Sequence, residues 1–147
     1  MKYPIICLFL ITVLGADTTI AQAPSAVGVW KTIDDEDGEE KSHIEIYEVD
    51  GKLHAKVLKL LKESNDLLCD SCKGDKKGKP LVGMEIMWNM KPEKDPSKWK
   101  GGKIMDPKKG KEYKCKIELT SEDVLKVRGY VGFSLIGRNQ TWYRVKP

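Results

Sequence analysis

The sequence predicts an all-β protein, a small up-and-down antiparallel barrel of about eight strands. Three observations carry that expectation. Past the N-terminal segment, no stretch sustains a 3.6-residue apolar period, whereas apolar and polar residues repeatedly alternate with period two. The alternating stretches are short and closely spaced. Turn-forming residues separate most of them. A two-sheet sandwich is the competing arrangement, but closure hides the edge strands that would otherwise recruit other chains, which favours the barrel.

Val27 to Ile33 (VGVWKTI) opens the domain as a strand, followed by an acidic turn from Asp34 to Gly38. His43 to Val49 alternates, and Asp50-Gly51 supplies a hairpin turn because both residues tolerate positive φ. Leu53 to Leu61 returns as its partner. Lys62 to Pro80 holds two cysteines, two glycines and five lysines, and reads as a loop. Beyond it Val82, Met84, Ile86, Trp88 and Met90 share one face of a strand, which Pro92 and Pro96 end. Trp99 to Met105 is a short strand closed by Asp106-Pro107-Lys-Lys-Gly110, a type I turn composition. Tyr113, Cys115, Ile117 and Leu119 then alternate with Lys114, Lys116 and Glu118, the clearest half-buried strand in the chain. Leu125, Val127, Gly129, Val131 and Phe133 face one way, against Lys126, Arg128 and Tyr130. Gln140 to Val145 closes the series, with Trp142 and Arg144 on one side. There is no internal repeat and no sign of a second domain.

The N-terminus differs in kind. Lys2 precedes an uncharged apolar run, Ile5 to Leu14, and small residues follow at Ala16, Ala21 and Ala23. Such a run is shorter than the about 20 residues a membrane-spanning helix needs. It reads as a signal peptide over residues 1–21, cut near 21–23. A cut after Ala21 is favoured, because one after Ala23 would place Pro24 beside the scissile bond. Residues 22–147 are then one barrel domain, periplasmic or secreted, with no stable membrane span.

Charge is unevenly spread. Trp30 to Asp70 carries twelve acids against six lysines, a net of −6, and Lys73 to Lys116 fourteen lysines against six acids, a net of +8. The lysines fall singly between turn and strand positions, with no interleaved aromatic platform. Solvated strand faces therefore explain them better than nucleic acid, which is not an expected partner. An acidic envelope surface or protein stays open as a partner for this half.

Three readings compete for Cys69 and Cys72. A disulfide stapling the loop suits an oxidising compartment and is favoured. Zinc would need further ligands from Cys115, His43 and His54, with no second Cys-X-X-Cys pair. Redox catalysis would need a helix N-terminus to lower a thiol pKa. Cys115 alternates with apolar neighbours and should point inward as a small hydrophobe. His43 and His54 read as surface residues. No nucleophile elbow or phosphate loop with its trailing Ser/Thr is present, and Asn139-Gln-Thr141 matches a glycosylation acceptor only as a short pattern. Neither catalytic residues, nor a metal, nor a cofactor is expected. The candidate ligand-binding residues are Met84, Trp88, Tyr113, Ile117 and Trp142, with Arg128 and Tyr130 to orient a carboxylate or phosphate. Their competing reading is plain core, since an eight-stranded barrel is narrow enough for side chains to fill. Strict alternation also sets Arg128 and Tyr130 opposite Leu125 and Val127, so both sets face one cavity only if a bulge intervenes.

Gly28-Val29-Trp30 on the first strand, paired with Arg144 on the last, resembles the opening and closing residues of lipocalins. That resemblance implies a guanidinium lying over the Trp30 indole and closing the barrel base. The chain also resembles the bacterial "domain of unknown function 2147" family of exported proteins. The residues carrying this are Gly28-Val-Trp30, Cys69-Asp-Ser-Cys72-Lys-Gly74, Lys79-Pro-Leu81 with Gly83, and Trp99 through Pro107. Gly110-Lys-Glu-Tyr113, Leu125 through Gly132, Gly137-Arg138, Trp142 and Arg144 complete it. Cys115 lies outside that pattern. The resemblance implies a lipocalin-like barrel and brings no reaction with it. The expected function is an exported binding protein holding a small apolar or amphipathic molecule in the barrel. The alternative is an envelope interaction module built on the lysine-rich half.

Overall fold

The computed structural model describes residues 23–34, 37–133 and 136–147. The expected signal segment, residues 1–21, lies outside the described residues. Eight strands run in sequence: β1 (Gly28–Ile33), β2 (Glu40–Val49), β3 (Lys52–Leu60), β4 (Glu85–Pro92), β5 (Lys98–Asp106), β6 (Lys111–Ser121), β7 (Val124–Tyr130) and β8 (Gly137–Arg144). Each pairs antiparallel with the next, and β8 returns to β1 through Trp30–Arg144 and Thr32–Trp142, so the sheet closes into a barrel. A 3₁₀ turn, Gly74–Lys76, lies in the long β3–β4 connection.

Period-two alternation sorts side chains between inside and outside. Trp30, Ile44, Ile46, Ala55, Cys115, Leu125 and Trp142 are almost fully buried. The outward positions carry charge, much of it paired across strands: Lys31 with Glu40, Lys56 with Glu45 at 3.0 Å, and Lys103 with Glu112 at 3.1 Å. These exposed pairs are screened by solvent and solvate the wall more than they hold it. No helix among the described residues is long and apolar enough to cross a membrane.

β4 departs from the expected alternation, and the reason is visible in its register. Ala55 pairs with Met87 and Lys56 with Glu85, which leaves Ile86 as an extra residue on β4. Leu53 pairs with Met90, which leaves a second extra residue in the Trp88–Asn89 step, and Asn89 has φ 58°. Two bulges thus turn Ile86, Met87 and Met90 inward and Trp88 outward. Met84 is buried in the turn before β4, where its carbonyl accepts the Val57 N–H at 3.0 Å.

Topology gives the barrel two unlike ends. The turns Asp50-Gly51, Glu93–Ser97 and Glu122-Asp123 gather at one end with the chain termini of the domain. The connections β1–β2, β3–β4, β5–β6 and β7–β8 gather at the other.

Candidate functional site

The end bearing the three short turns is closed by a latch. Arg144 lies over Trp30, its guanidinium carbon 4.2 Å from the indole ring centre. Its three nitrogens donate to backbone carbonyls: Nε to Glu122 at 2.6 Å, Nη1 to Val27 at 2.9 Å and Nη2 to Ser25 at 2.8 Å. The Trp30 Nε1–H donates to Ala26 at 2.8 Å. A planar fork with five donors suits this stacked, multiply bonded role. Above the latch, Leu53, Met90, Trp99, Ile117, Leu119 and Leu125 fill the barrel. That half is packed.

The other half is not. A cavity of about 500 Å³ opens at the end with the longer loops. Ile44, Val57, Ile86, Ile104, Val127 and Trp142 line its wall, with Tyr113 higher up. Thr32 and Ser42 form a buried hydroxyl pair in the wall, Oγ1 to Oγ 2.8 Å. The Trp142 Nε1–H donates to Gln140 Oε1 at 3.3 Å, so the indole presents its apolar faces with its polar edge satisfied. Lys41, Lys108, Lys109 and Arg138 stand among the rim residues, against the acids Asp34 and Asp106. Asp34 lies 3.6 Å from both Lys41 and Lys62.

The β3–β4 connection builds one side of the mouth. Cys69 and Cys72 are joined by a disulfide, and both are buried. The Cys72 sulfur packs 3.7 Å from Met105 Sδ, and that of Cys69 lies 3.5 Å from the Pro107 carbonyl oxygen. Gly110 meets this loop so closely that a Cβ would fall 1.7 Å from the Ser71 carbonyl oxygen. The loop is thereby held on the β5–β6 turn. Cys115 is a free thiol inside the barrel, and burial pushes its pKa from an ordinary 9.0 to about 12.

Of the seven ligand-contact candidates read from the sequence, Tyr113, Tyr130 and Trp142 line the cavity. Four do not, and each has a physical reason. Ile117 packs opposite Trp99 in the filled half. Met84 is used in the turn before β4. Trp88 is turned out by the bulges, and the Lys76 ammonium sits 4.2 Å from its ring centre. Arg128 points outward and donates to Asn139 Oδ1, on the facing position of β8, at 2.8 Å. Lys108 and Lys109 of the rim fall in the lysine-rich half singled out in the sequence, but sequence reasoning missed Lys41, Thr32, Ser42, Val57 and Ile104. Their common signal was position at the loop-rich ends of inward strand faces.

On the outer wall, Glu85 accepts from the Tyr47 hydroxyl at 3.1 Å and lies 2.8 Å from His54 Nδ1. Burial first, then the Glu85 charge, holds the Tyr47 phenol above its ordinary pKa. The cluster ties β2, β3 and β4 together. Among the described residues, no group of three or more His, Cys, Asp or Glu is placed to hold a metal ion.

The profile of a family described as an uncharacterized protein conserved in bacteria, DUF2147, matches residues 28–144. The chain belongs to this family. No curated protein matches this DUF2147 chain. Among solved structures it is similar to protein HP1028 from the human pathogen Helicobacter pylori, described as belonging to the lipocalin family. The TM-score is 0.73 at 19% identity, over 85% of this chain and 84% of that one. At that identity the likeness is one of fold, a lipocalin-like barrel. A redesigned β-barrel also matches, at 16% identity and a TM-score of 0.46 over 82% and 91% of the two chains, and carries no argument.

Proposed function

We propose that this DUF2147 protein is an exported carrier that holds a small amphipathic molecule, its apolar part in the barrel and an anionic head at the mouth. One observation carries the reading: a barrel latched and packed at one end encloses an apolar cavity of about 500 Å³ at the other, under a rim richer in cations than acids. Ligand pockets of roughly 300–1,000 Å³ with apolar walls and a few placed polar groups are the ordinary form of small-molecule sites. The Thr32–Ser42 pair and the Tyr113 hydroxyl offer hydrogen bonds inside; Lys41 and Arg138 offer charge at the opening. The signal-like N-terminus and the Cys69–Cys72 disulfide both suit an oxidising compartment outside the cytoplasm.

Native mass spectrometry of the mature protein tests this. A medium-chain alkyl carboxylate and the alkyltrimethylammonium of equal length are added below their micelle concentrations. The carboxylate should form a one-to-one adduct that survives gentle desolvation, and the cation should bind roughly ten-fold more weakly, the scale of one charge-assisted contact. Val127→Trp, which fills the cavity from β7, should abolish the adduct while the circular dichroism of the barrel persists. Absence of the carboxylate adduct, equal binding of the cation, or an adduct indifferent to Val127→Trp overturns the reading.

A further inference from the structure

We propose that the mouth of this barrel docks on an anionic lipid bilayer through the β7–β8 loop. The inference goes beyond the carrier reading and stands on the surface, not on the cavity. Exposed apolar side chains are polarised along the barrel. Among the described residues, six of the ten exposed large hydrophobics lie in connections at the open end, in β3–β4 and β7–β8. The β7–β8 loop is the extreme case: Phe133 is 85% exposed, Ile136 70% and Val131 48%. The backbone on either side of them is paired, Val131 N–H donating to Ile136 O at 3.1 Å and Ile136 N–H to Phe133 O at 3.3 Å. Lys114 Nζ donates to Gly132 O at 3.4 Å, which ties a cation to the base of the same loop.

The charge around the loop names the occupant. Residues 106–114 and 128–138, which build the β5–β6 and β7–β8 side of the mouth, contain Lys108, Lys109, Lys111, Lys114, Arg128 and Arg138 against two acids. Of those acids, Glu112 is engaged by Lys103 at 3.1 Å, and Asp106 accepts the Lys108 backbone N–H at 3.0 Å. The three turns at the opposite end carry five acids and one lysine. The β1–β2 loop on the other side of the mouth is acidic, with five acids over residues 34–39, and there Lys62 bonds Asp37 and lies 3.6 Å from Asp34. A protruding phenylalanine and isoleucine flanked by this cationic β5–β6 side, with an acidic pole behind, fits an anionic interface met by that side of the mouth. The apolar tips would enter the acyl boundary while lysines meet the headgroups. The docked edge is the rim of the cavity itself, because Val131 and Ile136 belong to both.

Vesicle flotation with the mature protein decides it. The protein should float with phosphatidylglycerol-containing vesicles, release as salt is raised through the range that screens surface charge, and ignore vesicles of phosphatidylcholine alone. Phe133→Ser should weaken partitioning roughly ten-fold, the order expected when one large apolar side chain stays in water. Phe133 does not line the cavity, so this variant should keep the carboxylate adduct; the two proposals therefore fail separately. As a second reporter, Phe133→Trp should shift its emission to the blue on adding the anionic vesicles, whereas Val49→Trp at the other end should not. Failure to float, equal binding to neutral vesicles, or flotation unchanged by Phe133→Ser overturns the proposal. So does a dimer in solution that Phe133→Ser dissociates, since a second copy would then be what covers the patch.

Discussion

Arg144 shows how one side chain can set the boundary of a binding site. It stacks on Trp30 and spends three donors on three carbonyls, so the floor of the barrel cannot open without losing all four contacts together. Arg144→Lys keeps the charge but loses the fork. It should cost about 2 kcal/mol in urea unfolding, the scale of charged hydrogen bonds lost from one residue. Gly28 makes the latch possible, because its φ of 136° is a conformation that residues with a Cβ rarely adopt, and a Cβ there would lie 2.7 Å from Arg144 Nη1. Gly28→Ala should therefore destabilise by roughly 1–3 kcal/mol. Cys115 makes a chemical prediction. Its thiol titrates near pH 12 when folded and near its ordinary 9.0 when unfolded. The unfolded chain thus releases its proton first, and stability that is full below pH 9 declines as pH rises toward 12. Wild type should lose more stability over that range than Cys115→Ala, and alkylation of Cys115 near pH 8 should require unfolding.

At the scale of elements, β4 and the connection before it decide the shape of the site. Two bulges place three apolar side chains inside and send Trp88 out beneath Lys76, an arrangement that uniform alternation would have reversed for the indole. The β3–β4 connection is long, yet it is pinned by the Cys69–Cys72 disulfide and by close contact with Gly110. Opening the disulfide with paired Ser substitutions should cost about 2 kcal/mol, the chain-entropy value for so small a ring. The loss should be local. Hydrogen exchange should rise in the β3–β4 connection and the β5–β6 turn while β6 and β7 stay protected. Gly110→Ala should disturb the same two segments, since its φ is 60° and its Cβ would meet Ser71 backbone.

The whole molecule is a closed ring of sequential hairpins around one core, which couples every strand to both neighbours. Such an architecture has no independent half to unfold first. Tryptophan emission reports both regions, from Trp30 and Trp99 in the packed half to Trp142 in the cavity. It should melt coincidently with far-ultraviolet circular dichroism in one cooperative transition. Separate midpoints would show that the open half is an independent unit. Closure requires β1 to find β8, more than a hundred residues apart in the pair Trp30–Arg144. Refolding should therefore lie on the millisecond-to-second scale of non-local β topologies.

Much of this was legible in the chain because it is written at short range. Period-two alternation, Asp50-Gly51 and the Pro and Gly punctuation specify strands and turns locally, and the order of those strands leaves few ways to close a sheet. The barrel, the Cys69–Cys72 bond and the inward face of β6 all follow from neighbours within a few residues. The cavity does not. Whether Ile117 or Tyr113 meets empty space depends on what the opposite strands bring to the same height. Trp99 and Leu125 fill one level; Thr32, Ser42, Val57 and Gly129 leave the next one open. The outward turn of Trp88 likewise depends on the register of β4 against β3, a pairing between segments some thirty residues apart. Alternation along a strand records which side a residue faces. Only the closed barrel sets its depth, and depth separates floor from pocket.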